Sequence, residues 1–319
     1  MRKPYLILII FFISFQCITF QICESQNQPE EVAVLIKGLS NPYWKTMQDG
    51  ILDKSKELGI SVYIQGIQSD SDSEGQLNMC QTILLKKPKA LIFAAVNSVN
   101  LSPCLKQASE SGIHLIDLDG GMSEANAKKQ QLKISFSVAS DNLELGKKAA
   151  EYLTGTIGKV LIIEGYPGSE QGLMRVQGFK QNLPQGLEIV ASLPGDWDRL
   201  KAADITTSVA INHSDLVAVF AANDLMALGA AEALFSTGLN NVKVIGIDGI
   251  SDAIAAIQNG RLAASIAQLP YLIGSEALDK TIKLLSGRET YTYDQKVPVL
   301  VLDKNVLSKK QDELLQFIK

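Results

Sequence analysis

The chain has 319 residues, 46% hydrophobic and 20% charged, a balance that belongs to a folded globular protein and excludes a disordered one. Its net charge is −4, or −5 if residues 1–25 leave with Arg2, Lys3 and Glu24, so nothing electrostatic favours nucleic acid or an anionic membrane. The length exceeds what one core usually fills, and two domains are expected.

At the start of the chain, Arg2 and Lys3 precede an apolar stretch from Tyr5 to Phe20, with small residues around Cys23-Glu24-Ser25. This is the pattern of a secretory signal peptide, assigned to residues 1–25. A short membrane anchor is the alternative, although the run is short for a spanning helix. The stretches leading to Cys17 and Cys23 lack the small-residue pattern of a lipoprotein site, so the mature chain is expected to be exported without a lipid.

The run Val32-Ala33-Val34-Leu35-Ile36 reads as a buried strand, and from Met47 the spacing of Met47, Ile51 and Leu52 predicts an amphipathic helix. Between them stand Asn41, Pro42, Tyr43 and Trp44, with two large aromatics on a strand-to-helix turn. Further strands are expected at 61–64, 90–93, 114–118, 133–138, 160–163, 188–192, 217–220, 242–245 and 263–267. Helical patterns fall between them, among them 143–153, 174–182, 225–235 and 251–257. Continuous apolar runs of this kind are what parallel strands covered on both faces look like. Repeated βα units imply right-handed crossovers and open, doubly wound sheets, and ten strands are better divided between two similar α/β lobes.

Two cysteines, Cys80 and Cys104, remain if the leader is removed. They fall in helical patterns at 75–86 and 101–109. With a strand order of 2-1-3-4, the two helices lie side by side on one face. Export permits a disulfide there, and two buried thiols are the alternative. His114 and His213 sit near apolar residues without metal-ligand spacing, and no CxxC occurs; they read as structural, and no metal or cofactor is expected. The turn Gly165-Tyr166-Pro167-Gly168 lacks the lysine and hydroxyl of a phosphate loop, and there is no GxSxG. An enzyme is not expected.

In open α/β sheets, ligands bind outside the carboxyl ends of the strands. The residues that follow strands are Asn41, Tyr43, Trp44, Asp119, Asp196, Trp197, Asn223, Asp224, Asp248 and Gln268, and both tryptophans of the chain are among them. Each has a structural reading: Asn223 or Asp224 as the cap of a helix near Leu225, Asp248 as the cap of one near Ser251, Trp44 as core. Together, aromatics facing carboxylates and amides suit a small ring with an apolar face and polar edges, as in a sugar. Asp119 and Asp248 as a glycosidase pair would have to flank one bond, and nothing in the strand order requires it.

The segments VFAANDLMALGAAEAL (219–234), VIGIDG (244–249), GRLAASIAQLP (260–270) and ASLPGDWDR (191–199) resemble the ribose-binding-protein group of periplasmic binding proteins. The likeness runs from about Val32 to Leu302. It implies two Rossmann-like lobes joined by a three-segment hinge, closing on a sugar, polyol or cyclitol and delivering it to an ABC importer permease. A sensor kinase or chemoreceptor is an alternative partner, and a monomer is expected. The implied crossings lie near Ser140, Gln268 and Val299, giving an N-terminal lobe of 28–139 plus 269–299 and a C-terminal lobe of 140–268 plus 300–319. The tail from Asn305 extends beyond the group's usual end, and Val306, Leu307, Leu314, Leu315 and Ile318 predict a short docked helix.

By the same likeness, Asn41, Tyr43, Trp44, Asp119, Trp197, Asn223, Asp248 and Gln268 form the ligand site. Three pocket positions depart: a group asparagine is Ala94, and two arginines are Gly120 and Leu173, while Arg175 matches an arginine outside the pocket. Charge-assisted hydrogen bonds are worth about 1.5–3 kcal/mol each, so D-ribose itself is not expected as the ligand. Asp119 and Asp248 without arginines, beside three aromatics, leave a second reading open, an aromatic cage for an organic cation.

Overall fold

The computed structural model describes residues 31–318, so the expected leader lies outside the described residues. Two six-stranded sheets organise the chain. The first holds β1 (Val32–Leu35), β2 (Val62–Gln65), β3 (Ala90–Phe93), β4 (His114–Leu118), β5 (Ile134–Ser140) and β11 (Asp294–Val297), in the order β11-β5-β4-β3-β1-β2. The second holds β6 (Gly158–Glu164), β7 (Leu187–Pro194), β8 (Leu216–Ala221), β9 (Lys243–Asp248), β10 (Ala264–Ala267) and β12 (Leu300–Asp303), in the order β12-β10-β9-β8-β6-β7. All pairs are parallel except β12, which runs antiparallel to β10.

The continuous apolar strands are explained by burial on both faces. Val32, Val34 and Ile36 join one hydrophobic cluster, and Ala33 and Leu35 join another on the opposite side of the sheet. The helices of the first lobe are α1 (Pro42–Leu58), α2 (Ser73–Leu84), α3 (Ser102–Glu110) and α4 (Glu124–Lys129). Those of the second are α5 (Asn142–Glu151), α6 (Glu170–Gln181), α7 (Arg199–Asn212), α8 (Asp224–Ser236) and α9 (Ser251–Gln258). α10 (Pro270–Leu285) returns to pack on α1 and the first sheet; α11 (Lys304–Lys309) and a 3₁₀ turn at Glu313–Phe317 end the chain. The chain thus passes between the sheets three times, after β5, after β10 and between β11 and β12.

Two boundaries differ from expectation. Helix α1 begins at Pro42 rather than Met47, because Asn41 caps it by accepting from the Tyr43 N–H at 3.0 Å and Pro42 pre-sets the first helical φ. Tyr43 and Trp44 therefore stand on the first turn of a helix, not on a loop. Helix α6 likewise begins at Glu170 rather than Met174, capped by Ser169. β11 and β12 were not anticipated as strands; the sequence of β11, Asp-Gln-Lys-Val, has no apolar run to signal it.

Cys80 of α2 and Cys104 of α3 form a disulfide, with their Cα atoms 6.2 Å apart. One turn earlier on the same two segments, Asn100 Nδ2 donates to Gln76 Oε1 at 2.8 Å, and Gln76 also holds the end of β3 through Ala94 O and Val96 N–H. Both lobes have helix pairs that touch backbone to backbone, α7 and α8 among them through Gly229. A Cβ on Gly50 would lie 2.0 Å from Tyr271 O and one on Gly274 2.3 Å from Met47 O, so α1 and α10 can meet only through glycine. Gly146 and Gly178 do the same for α5 and α6, with a Cβ at 1.9 Å from Arg175 O and 2.1 Å from Leu143 O.

Candidate ligand-binding site

The carboxyl ends of both sheets face one cavity between the lobes. It is lined by Lys37, Asn41, Tyr43, Trp44, Asp70 and Asp119 from the first lobe and by Gln171, Arg175, Trp197, Asn223 and Asp248 from the second, around about 310 Å³ of atom-free space. The lobes are closed on it. Gln171 Nε2 donates across the cleft to Asp119 Oδ2 at 3.2 Å, and Glu170 Oε2 accepts from Asn126 Nδ2 at 2.7 Å and from the Ser123 N–H at 3.2 Å.

The backbone turns sharply where strands deliver these groups. Asp119, Trp197 and Asp248, with Asp196, have φ values of 71°, 63°, 131° and 55°, the left-handed region that non-glycine residues avoid. Such positions cluster at functional sites, held there by their surroundings. Trp197 is seated against Gly165, where a Cβ would come within 2.2 Å of its ring.

Seven of the eight expected residues line the cavity; Gln268 does not. Its Nε2 donates to Asp248 Oδ1 at 2.8 Å, so it positions that carboxylate from behind. Asn41 also acts largely through others: its Oδ1 caps α1, and its Nδ2 donates to Asp70 Oδ2 at 2.9 Å. Tyr43 donates its hydroxyl to Asp119 Oδ1 at 2.5 Å. Asn223 Oδ1 caps α8 by accepting from the Met226 N–H at 2.9 Å. Asp248 caps nothing, since the residue before α9 is Ile250, and Asp224 is spent on Gly249 N–H, Ile250 N–H and Ser265 Oγ.

The expectation about the arginines needs correction. Leu173 is 60% exposed and lies outside the cavity, while Arg175 is buried in its wall. On α6, positions 171 and 175 share the inward face, and 173 points about 200° away. Arg175 donates Nε to Asn142 Oδ1 and Nη1 to Ala222 O, both at 2.8 Å, and Nη1 lies 3.5 Å from Asp248 Oδ1. Ala94 and Gly120 are likewise absent from the lining: Ala94 is core, and a Cβ at Gly120 would point at Ala139 and Asn142. The cation-cage reading loses its premise. Arg175 lies 5.7 Å from the Trp197 ring centroid and Lys37 Nζ 5.1 Å from that of Trp44, so the protein's own cations already sit beside both indoles.

Lys37, Asp70, Gln171 and Arg175 are the site residues that sequence reasoning missed. Lys37 and Asp70 follow β1 and β2, where the strand-end rule would have found them. Burial pushes the Lys37 ammonium down from its ordinary pKa, while Asp119 and Asp70 pull it back. Burial pushes the Asp119 and Asp248 carboxyls up, against the opposing pull of Lys37 and Arg175 on Asp119 and of Arg175 on Asp248. The cavity therefore offers buried donors and acceptors of both signs, arranged for hydroxyl groups.

The described residues contain no group of acidic, histidine or cysteine side chains able to hold a metal ion. A periplasmic binding protein domain model matches residues 32–289. The chain is 37% identical to a D-allose-binding periplasmic protein of Escherichia coli strain K12, over 78% of this chain and 82% of that one. It is 30% identical to a ribose import binding protein of Haemophilus influenzae, over 87% and 92% of the two chains. Among solved structures, it resembles an ABC transporter periplasmic solute-binding protein from Actinobacillus succinogenes 130z with bound D-allose. There the TM-score is 0.81 and the identity 30%, with 87% of this chain and 99% of that one covered. With its two lobes, three crossings and interlobe cavity, the chain belongs to the periplasmic binding protein domain family.

Proposed function

We propose that this protein captures a single sugar ring, an aldohexose of the D-allose type, between its lobes in the periplasm and delivers it to the permease of an ABC importer. The observation that carries the reading is the composition of the closed cavity. Asp70, Asp119, Asp248, Lys37 and Arg175 supply acceptors and donors, and Trp44 and Trp197 face the same space from opposite lobes. A neutral polyhydroxyl ring meets both needs, placing hydroxyls against charged groups and its C–H surface against an indole. Three carboxylates against two cations leave no excess of positive charge for an anionic ligand.

The ligand class is supported by the relatives. Identity is 37% to the D-allose-binding protein and 30–32% to the ribose import binding proteins. D-ribose is therefore the weaker ligand on this reading, although with Arg175 in the wall only the Gly120 departure still separates the site from the group's arginines. Titration calorimetry of the purified protein with D-allose, D-ribose, myo-inositol and choline tests it. Tight binding of D-allose over D-ribose is expected; no heat with any sugar or polyol would sink the proposal, and preference for choline would restore the cation reading.

A further inference from the structure

Residues 314–318 lie against the back of the ligand cavity. Helix α11 packs on α9 and β12 of the second lobe, so the tail is anchored there. After Lys310, in the left-handed region at φ 49°, the chain turns into the 3₁₀ segment Glu313–Phe317, capped by Asp312 through the Leu314 N–H at 2.9 Å. Leu314, Leu315, Phe317 and Ile318 are partly buried against the core. Phe317 and Ile318 close one side of a narrow void. Its other walls include Pro42 and Thr46 from α1 of the first lobe, Ile250 from the second, and Gln268 at the crossing between them.

Tyr43 and Asp248 belong to the walls of both this void and the ligand cavity. The tail end is thus separated from the ligand space by side chains that build the site. We propose that residues 311–318 form a strap across the hinge side of the molecule, fixed to the second lobe and gripping α1 of the first, which favours the closed arrangement and so raises ligand affinity. The physical ground is that a contact made between lobes in the closed state, and altered by their rotation, shifts the closed–open balance by its own energy. Phe317 and Ile318 are the gripping groups, because apolar contact without a fixed hydrogen-bond geometry can be made and broken as the lobes rotate. This inference rests on the sugar reading only for its affinity readout.

The test compares the parent with Phe317→Ala/Ile318→Ala and with a chain ending at Lys310. Calorimetry with D-allose is expected to give a Kd about tenfold higher for both variants. Small-angle scattering without ligand is expected to show a larger radius of gyration for the double alanine variant than for the parent. An unchanged or lowered Kd, with the parent binding, overturns the strap. If the parent binds no D-allose, the scattering still decides: a larger ligand-free radius supports the strap, and identical curves overturn it.

Discussion

Replacing Arg175 with methionine keeps most of the side-chain volume and removes the guanidinium. Two hydrogen bonds of 2.8 Å, to Asn142 Oδ1 and Ala222 O, are lost, together with the 3.5 Å contact to Asp248. If one ligand hydroxyl shares that guanidinium, a charge-assisted hydrogen bond of about 1.5–3 kcal/mol goes with it, which weakens sugar binding roughly 10- to 100-fold. The ligand-free protein is also affected, since breaking a buried ion pair typically costs about 3–5 kcal/mol. Part of that is recovered at low pH. Burial already raises the Asp248 pKa and Arg175 restrains the rise, so without Arg175 the carboxyl holds its proton further. A folded-state pKa above the unfolded value gives a contribution that is present in acid and lost as pH rises, so the destabilisation should be larger at pH 8 than at pH 5. Calorimetry gives the affinity and urea unfolding at the two pH values gives the stability. Leu173→Ala is the control, expected to change neither by more than about 0.5 kcal/mol. Parent-like affinity in Arg175→Met, or a larger loss in Leu173→Ala, would refute the placement of the arginine.

Trp197→Ala should weaken sugar binding by about 1–3 kcal/mol and remove part of the ligand-induced fluorescence change; an unaltered Kd would take the indole out of the site. Cys80→Ser/Cys104→Ser opens a loop with a sequence separation of 24. The double variant should lose about 3–4 kcal/mol in urea unfolding while the sugar Kd stays within about twofold, and an unchanged unfolding midpoint would contradict this. Asp224 is pushed up to about 6 by burial, so its contribution to stability is present below about pH 4 and lost as pH rises through 6. Asp224→Asn should flatten that stretch of the stability–pH curve, and a slope equal to the parent's would show that another group sets it.

Most of the fold was legible because parallel strands buried on both faces leave continuous apolar runs, and, given a strand order of 2-1-3-4, right-handed crossovers put α2 and α3 side by side. β11 was not, since its Asp-Gln-Lys-Val sequence carries no such run and its place is set by pairing with β5. The strand-end rule brought Tyr43, Trp44, Asp119, Trp197 and Asp248 to one cavity. Lys37 also stands at a strand end but was left out, because a lysine reads as surface unless a buried site holds it. Arg175 was read as lying outside the pocket and Leu173 as a pocket position, and two residues along a helix exchange the inside for the outside. The positive φ of Asp119, Trp197 and Asp248 left no trace in the sequence, since no glycine marks them.

The paired glycines have a consequence for how the protein responds to its ligand. Helix α1 carries Tyr43 and Trp44, and the helix it touches through Gly50 and Gly274, α10, starts at the crossing residue Pro270. Helix α6 carries Gln171 and Arg175, and its partner through Gly146 and Gly178, α5, starts at Asn142, just past another crossing. Each cavity-lining helix therefore meets its partner in direct main-chain contact at the two glycines, with side-chain contacts such as Arg175 to Asn142 and Tyr271 to Asp53 beside them. Packed backbone is poorly compressible, so these contacts couple each wall tightly to the segment beside it. Each half of the molecule behaves as a lever rather than a cushion. Gly50, Gly274, Gly146 and Gly178 are thus the positions at which any larger residue would force a cavity wall away from its crossing.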